Sequence, residues 1–458
     1  MSVSFVLLLV AVPAADLDRQ QIVELRAIER AAKSLPDDAG AVTELAGRLA
    51  AAEGDAVFTT SADRASGAIR LARSGRTAAF TGDVPAGDDL GPIVRTAYLV
   101  PSDREPRDAI VHQAARMIRW MQVWYGEEMD ARGHGRRSFA VETPVGPQRL
   151  GAEQPAWPLV HVVRLPRPAS YYRGTAADKK SLLDRVEGDA KAAGVPVDAD
   201  RQVWWLLCDM QEQQPDGTID GTHRQGGFLS RNWSGATVCD VGPLPVLTLE
   251  TLQNTRPYDG MRVPELGSHP LRFGKTFKSS RGRTVSEVVS ASIGSYVHEV
   301  GHALGLVHDF RDDTNFRGNL MGNGLRGFRG WVFPKKFRDS DVHLTATSAR
   351  VLSLSPLFRD DAEGTDDRHP RFESLSFGGS AAAPVVELAA SDDRELAFVL
   401  AFVGGEVVGE TDLSGSSAET TITITITNTK PGPPKGIAYL FDAAGNVTIR
   451  PIDAAAGR

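Results

Sequence analysis

His298 and His302 stand four residues apart, and Glu299 follows the first of them, in the stretch Tyr-Val-His-Glu-Val-Gly-His-Ala-Leu-Gly-Leu-Val-His-Asp over residues 296–309. On a helix this spacing puts both imidazoles on one face, one turn apart, within reach of a single metal ion. Glu299 then sits beside the metal edge without being needed as a ligand. In H-E-x-x-H sites such a carboxylate takes a proton from the water that the metal activates. Gly305 comes three residues after His302, where a glycine can take positive φ and end the helix with a sharp turn. The turn brings back His308 as a third nitrogen ligand. Three histidines leave the fourth zinc position open for water, the layout of a catalytic rather than a structural site.

His298, Glu299, His302, Gly305 and His308 together resemble the signature of the metzincin zinc peptidases. The resemblance implies a Met-turn downstream, whose methionine forms an apolar floor under the metal. Asn319-Leu320-Met321-Gly322 supplies Met321 for it. Asp309, directly after the third histidine, resembles the adamalysin (reprolysin) branch, and the likeness implies that it orients the loop without touching the metal. Metzincins of the astacin and serralysin type carry a tyrosine two residues after the methionine. That position is Asn323 here, so no such fourth ligand is expected. Phe80-Thr81-Gly82-Asp83 resembles the Phe-x-Gly-Asp motif of astacin pro-segments, in which the aspartate reaches the zinc and displaces the water. An ordinary strand-to-turn boundary is the other reading of Asp83.

The resemblance implies a secreted zinc-dependent endopeptidase with one catalytic zinc ion and a protein or peptide substrate. Glu299 would serve as general base. Two alternatives stand beside it: a catalytically silent zinc-containing binding or adhesion protein, and a zinc hydrolase of a non-peptide bond. Retention of Glu299 favours turnover, because a purely structural zinc site has no use for that carboxylate.

These residues need elements to hold them. Thr284-Val-Ser-Glu287 reads as a capping box opening the helix that carries His298 and His302. Upstream, residues 93–100 read as a first strand and 106–126 as a long helix with apolar residues at the 3.6 period. Residues 138–142, 157–163 and 203–208 read as further strands, and 226–229 with 236–239 as an edge strand and its surroundings. Residues 345–357 read as a closing helix. Residues 359–378, rich in Asp, Arg and Gly, read as a linker. Beyond it, 385–388, 396–403, 420–427 and 437–441 are strand-like, and Thr421–Thr427 alternates strictly. The fold expected is α+β: a metzincin-like catalytic domain over 92–358, with a mixed twisted sheet and long helices, then a small β-sandwich over 379–458. As a separate module, the sandwich should be removable without loss of the zinc site.

A chain of 458 residues has room for two or three domains, and 41% hydrophobic with 24% charged residues is the balance of a soluble protein. A net charge of −7 gives no reason to expect nucleic acid or an acidic membrane as partner. Residues 1–14 read as a signal peptide, with a buried first strand as the other reading. Residues 15–91 read as a pro-segment or accessory region. A secreted, periplasmic or cell-surface location follows, with no stable membrane insertion once the signal is removed. Cys208 and Cys239 form either one disulfide or two buried thiols. Asp216 and Asp220 offer a weak calcium loop that lacks the full ligand set, so a plain turn is the simpler reading. Oligomeric state is not legible.

Overall fold

A strand with no polar face must be covered on both sides, and the run Ile-Val-Arg-Thr-Ala-Tyr-Leu-Val over residues 93–100 is such a strand. The computed structural model describes residues 79–80 and 90–452, apart from 145, 153–155, 157, 174–178, 214–218, 221–225, 230–232, 242–251, 259–283, 312, 315, 360–367, 381–382, 416–418 and 426–435. The expected signal peptide, almost all of the expected pro-segment, Asp83 and Asp216 therefore lie outside the described residues.

The main sheet is built from Ala79–Phe80 (β1), Ile93–Val100 (β2), Val141–Thr143 (β3), Gly146–Gln148 (β4), Val160–Arg164 (β5) and Gln202–Cys208 (β6). Glu212–Gln213 (β7) and Ile219–Asp220 (β8) form a separate pair, and Gly226–Leu229 (β9) and Gly235–Asp240 (β10) complete the sheet. Its order is β1-β5-β2-β6-β10-β9, with β3 and β4 attached to β2. Neighbours from β1 to β10 along this path run parallel, and only β9, at the edge, is antiparallel to its neighbour. Both faces are buried. On one, Val94, Tyr98, Trp205 and Leu207 share a core with Asp108–Ala131 (α1) and with the helix carrying the histidines. On the other, Leu99, Trp204 and Leu206 pack against Tyr172 of Ala169–Tyr172 (α2) and Val186 and Ala190 of Lys179–Ala192 (α3).

The fold is therefore mixed α/β, with helices on both faces of a largely parallel sheet, rather than the expected α+β. The missing signal was α3. Its sequence Lys-Lys-Ser-Leu-Leu-Asp-Arg-Val-Glu-Gly-Asp-Ala-Lys-Ala is mostly polar, and among its described side chains Leu183, Val186 and Ala190 pack in this core. The register between β6 and β10 also decides the cysteine question. Asp240 pairs with Cys208, so Cys239 lies opposite Leu207 and the two cysteines point to opposite faces. Both are buried free thiols.

Val285–Ala303 (α4) opens on the expected capping box: Thr284 N donates to Glu287 Oε2 at 2.9 Å, and Glu287 N donates to Thr284 Oγ1 at 3.3 Å. After it come the parallel pair Arg317–Asn319 (β11) and Asp341–His343 (β12), which flank Phe328–Val332 (α5), and then Ala346–Leu354 (α6).

The C-terminal part consists of Arg371–Ser380 (β13), Ala383–Ser391 (β14), Leu396–Val403 (β15), Glu406–Asp412 (β16), Glu419–Thr425 (β17), Gly436–Asp442 (β18) and Val447–Pro451 (β19). They form two antiparallel sheets, β13-β14-β17 and β16-β15-β18-β19, around a common core of Leu375, Phe377, Val386, Leu388, Val399 and Leu440. Strand β13 occupies much of the expected linker. A bulge between Phe372 and Ser374 breaks its alternation, so Phe372 is out of step with Leu375 and Phe377. The other face of the four-stranded sheet puts Phe398, Leu400, Val407 and Phe441 into the same core as α1 and α4. Trp233 Nε1 donates to the Gly445 carbonyl at 2.7 Å across this junction. A packed core, not a hinge, joins the two parts. Among the described residues no helix is long and apolar enough to cross a membrane.

Two predictions follow from this packing. A Cβ at Gly294 of α4 would lie 1.5 Å from the Leu325 carbonyl oxygen, a backbone atom that cannot step aside. Gly294→Ala should therefore destabilise by about 1–3 kcal/mol, against the usual gain for Gly→Ala in a helix; urea denaturation measures the sign. The second concerns Glu128 on α1, whose carboxylate accepts from Leu344 N at 2.9 Å. Burial pushes its pKa up to about 7, against the lowering effect of the Leu344 N–H and His343. The native state then holds this proton more tightly than the unfolded chain, so its contribution is lost as pH rises from the ordinary carboxylate range to about 7. Glu128→Gln should gain stability over the parent between pH 5 and pH 8, on the order of 1–3 kcal/mol, read from denaturation midpoints at the two pH values.

Candidate metal centre

His298 is buried on the last turns of α4, facing the 319–322 segment, and its Nδ1 lies 2.8 Å from the Leu320 carbonyl. A carbonyl only accepts, so Nδ1 carries the proton and Nε2 presents its lone pair. His302 is set in the same way by the Leu306 carbonyl at 2.8 Å. That acceptor is itself a product of how α4 ends. Gly305 has φ +94°, Leu306 N donates to Gly301 O at 2.8 Å, and Gly305 N donates to His302 O at 3.0 Å. This is the Schellman pattern, which requires the left-handed residue that glycine supplies. One turn thus stops the helix, fixes the His302 tautomer and returns the chain toward the site.

His308 arrives on that returning loop. Its Nε2 lies 3.3 Å from His298 Nε2 and 3.2 Å from His302 Nε2. Four ligands at about 2.0–2.1 Å around a zinc ion stand about 3.3 Å from one another, so each of these two spacings fits neighbouring corners of a zinc tetrahedron. Among the described residues it is the one group of three or more His, Cys, Asp or Glu side chains that could hold a metal ion. Phe310, one of two large apolar side chains left exposed among the described residues, lies with its ring 5.6 Å from that of His308.

Glu299, on the turn between the two helical histidines, is partly exposed. Its charge reaches Cys239 on β10: burial first, and Glu299 next, push the Cys239 thiol well above its ordinary pKa. Burial does the same to Cys208. Neither is a nucleophile in the folded chain.

Met321 lies fully buried beneath α4. A Cβ on Gly301 would lie 2.8 Å from Met321 Sδ, so the glycine between Val300 and His302 is what lets the methionine approach. Asp309 is buried, and Arg311 grips its carboxylate through Nε and Nη2 at 2.8 Å each. Asn323 Oδ1 accepts from Arg326, and its backbone N–H donates to Asp313. The residue that sequence reasoning passed over is Asn319. Its Nδ2 donates to the Asp309 carbonyl at 2.8 Å and its Oδ1 accepts from Met321 N at 3.2 Å. Asp309 N in turn donates to Met321 O at 3.2 Å. Asn319 stitches the third-histidine loop to the methionine turn, and asparagine's habit of bonding the backbone two residues on was the signal available for it.

The chain thus has a mixed α/β fold with a three-histidine centre beside the sheet. No protein-family model matches it, and no curated protein does. Among solved structures it is similar to OgpA from Akkermansia muciniphila, a catalytically inactive form in complex with the O-glycopeptide substrate glycodrosocin. The identity is 14% over 81% of this chain and 95% of that one, with a TM-score of 0.50. Wild-type OgpA gives 14% identity over 81% and 94% with a TM-score of 0.48. The spore cortex lytic enzyme SleM of Clostridium perfringens aligns over only 18% of this chain and 27% of its own, with a TM-score of 0.15. The first of these likenesses shows a shared fold.

These findings overturn the metzincin resemblance, and with it the expected secreted metzincin-type endopeptidase and metalloprotease. The match of fold is to OgpA. The physical reason is that the motif is local. Residues 298–308 specify a helix end, a turn and three ligands, and leave the surrounding fold and substrate open. No comparison supports the signal peptide expected over 1–14.

Asn319→Ala should orphan the Asp309 carbonyl and the Met321 N–H, both of which belong to buried residues. A loss of about 2–3 kcal/mol is expected, seen as a fall in melting temperature of the metal-free chain.

Proposed function

We propose that this chain is a zinc-dependent hydrolase of O-glycosylated peptides. The observation that carries the catalytic half of the reading is the convergence of three imidazole Nε2 atoms, two of them with tautomers set by backbone carbonyls. The substrate class is supported by the fold shared with OgpA over 81% of the chain. A glycopeptide is also consistent with the peptide substrate expected from the sequence.

His298, His302 and His308 would hold the ion, as their donor set and spacing fit it. Once bound, zinc supplies a nucleophilic water near neutral pH and polarises the bond to be broken. Glu299 Oε takes the proton as water adds to the substrate and passes it to the leaving group. Met321 and Asn319 keep the third ligand's loop in register with α4. Phe310 offers an exposed ring at the mouth of the site.

The test pairs an O-glycosylated peptide with its unglycosylated twin, with products read by mass spectrometry, which also identifies the bond broken. Cleavage of the glycosylated peptide alone, lost with a chelator and regained with zinc, is expected. Glu299→Gln should keep the metal and lose roughly two to four orders of magnitude in rate. A zinc-loaded chain that leaves the glycopeptide intact, or turns over both peptides equally, overturns the reading.

A further inference from the structure

We propose that the C-terminal sheet is part of the metal centre: strand β16 holds the His308 backbone, and Glu410 on the same strand positions that ligand through Arg311 and Asp309. The inference rests on the reading of the three histidines as a zinc site.

His298 and His302 are fixed by α4, but His308 lies on a loop beyond the Gly305 turn and has no helix of its own. A loop ligand must be ordered by something else, or the ion bears the cost of ordering it. The structure supplies three restraints. The first is the methionine turn, through Asp309 N to Met321 O and Asn319 Nδ2 to Asp309 O. The second is Val407 N of β16, which donates to the His308 carbonyl at 3.0 Å. Among the described residues strand β16 pairs with β15, and its Val407 spends a backbone donor on the third ligand.

The third restraint is a side-chain relay. Arg311 grips Asp309 with two hydrogen bonds, and its Nη2 also reaches Glu410 Oε2 at 3.1 Å and Thr347 Oγ1 at 2.8 Å. Thr347 Oγ1 donates to Glu410 Oε1 at 2.5 Å, so Glu410 uses both carboxylate oxygens. The residue next to His308 is thereby tied to β16 and α6 together. Glu410 never approaches the histidines' reacting nitrogens; it is a positioning residue.

Outer partners of this kind set ligand orientation, and their loss typically weakens metal affinity 10–100-fold. The experiment measures the zinc dissociation constant of the full-length chain by competition with a chromogenic chelator, alongside the melting temperature of the metal-free chain. Glu410→Gln and Glu410→Ala are compared with Asp412→Asn, a change on the same strand at an exposed pair with Arg350. The two Glu410 variants should bind zinc at least about tenfold more weakly, with metal-free melting temperatures close to the parent's, while Asp412→Asn keeps the parental affinity. Unchanged affinity in both Glu410 variants overturns the proposal. So does an equal loss in Asp412→Asn, which would make the effect a property of the sheet at large. A parent chain that holds no zinc is a different result, visible before any variant is made, and removes the three-histidine reading itself.

Discussion

Three imidazole nitrogens within 4.8 Å of one another, two of them 3.2–3.3 Å from the third, do not stay together on their own account. Their lone pairs face one another, and nothing in the side chains themselves resists rotation away. The arrangement persists because the two helical rings are held from behind and the backbone of the third residue is pinned by Val407 N. Leu320 O and Leu306 O accept from His298 and His302, and those two carbonyls are fixed by the methionine turn and the helix-ending turn. The remaining architecture serves this requirement. The parallel sheet gives α4 a flat apolar bed, α1 ties to it through Tyr125 OH on the Val297 carbonyl, and the segment after Met321 locks onto Ser290 from the other side.

How much of this was legible in the sequence depended on distance along the chain. The capping box, the i, i+4 histidines and Gly305 are all local, and each appears where its spacing put it. The central strands were legible for a related reason: a strand covered on both faces reads as a plain apolar run. The failures were nonlocal or disguised. Helix α3 hides a narrow apolar stripe in a charged sequence, and without it the second helical layer, and so the α/β class, was invisible. Strand β13 hides behind a bulge. Nothing near Glu410 or Val407 in sequence points to a histidine about a hundred residues earlier; only folding brings them together.

The same contrast separates the local motif, whose three histidines the fold brings together, from the family, which the motif did not give. A metal centre on one helix end and one turn needs roughly a dozen residues, and any fold that can bury a helix against a sheet edge can host it. Substrate class is written in the walls around the centre, which a motif of about a dozen residues does not report.

Helix α4 shows what such a site asks of its carrier. Ser286, Ser290, Ser292, Gly294, Ser295 and Gly301 are poor helix formers, and Val288, Val289, Ile293, Val297 and Val300 are β-branched. In isolation this sequence would not hold a helix. The small residues are there because backbone and side chains press close: Leu325 O on Gly294, and Met321 and Tyr125 on Gly301. The branched residues are there because they fill the core above the sheet. Intrinsic propensity has been given up for contact, and the capping box offsets only part of the loss. The helix that aligns His298 and His302 therefore exists only once the sheet, the methionine turn and the loop before β11 have assembled around it. The ligand geometry is a property of the whole fold, and the strand that holds His308 from the far end of the chain belongs to that same dependence.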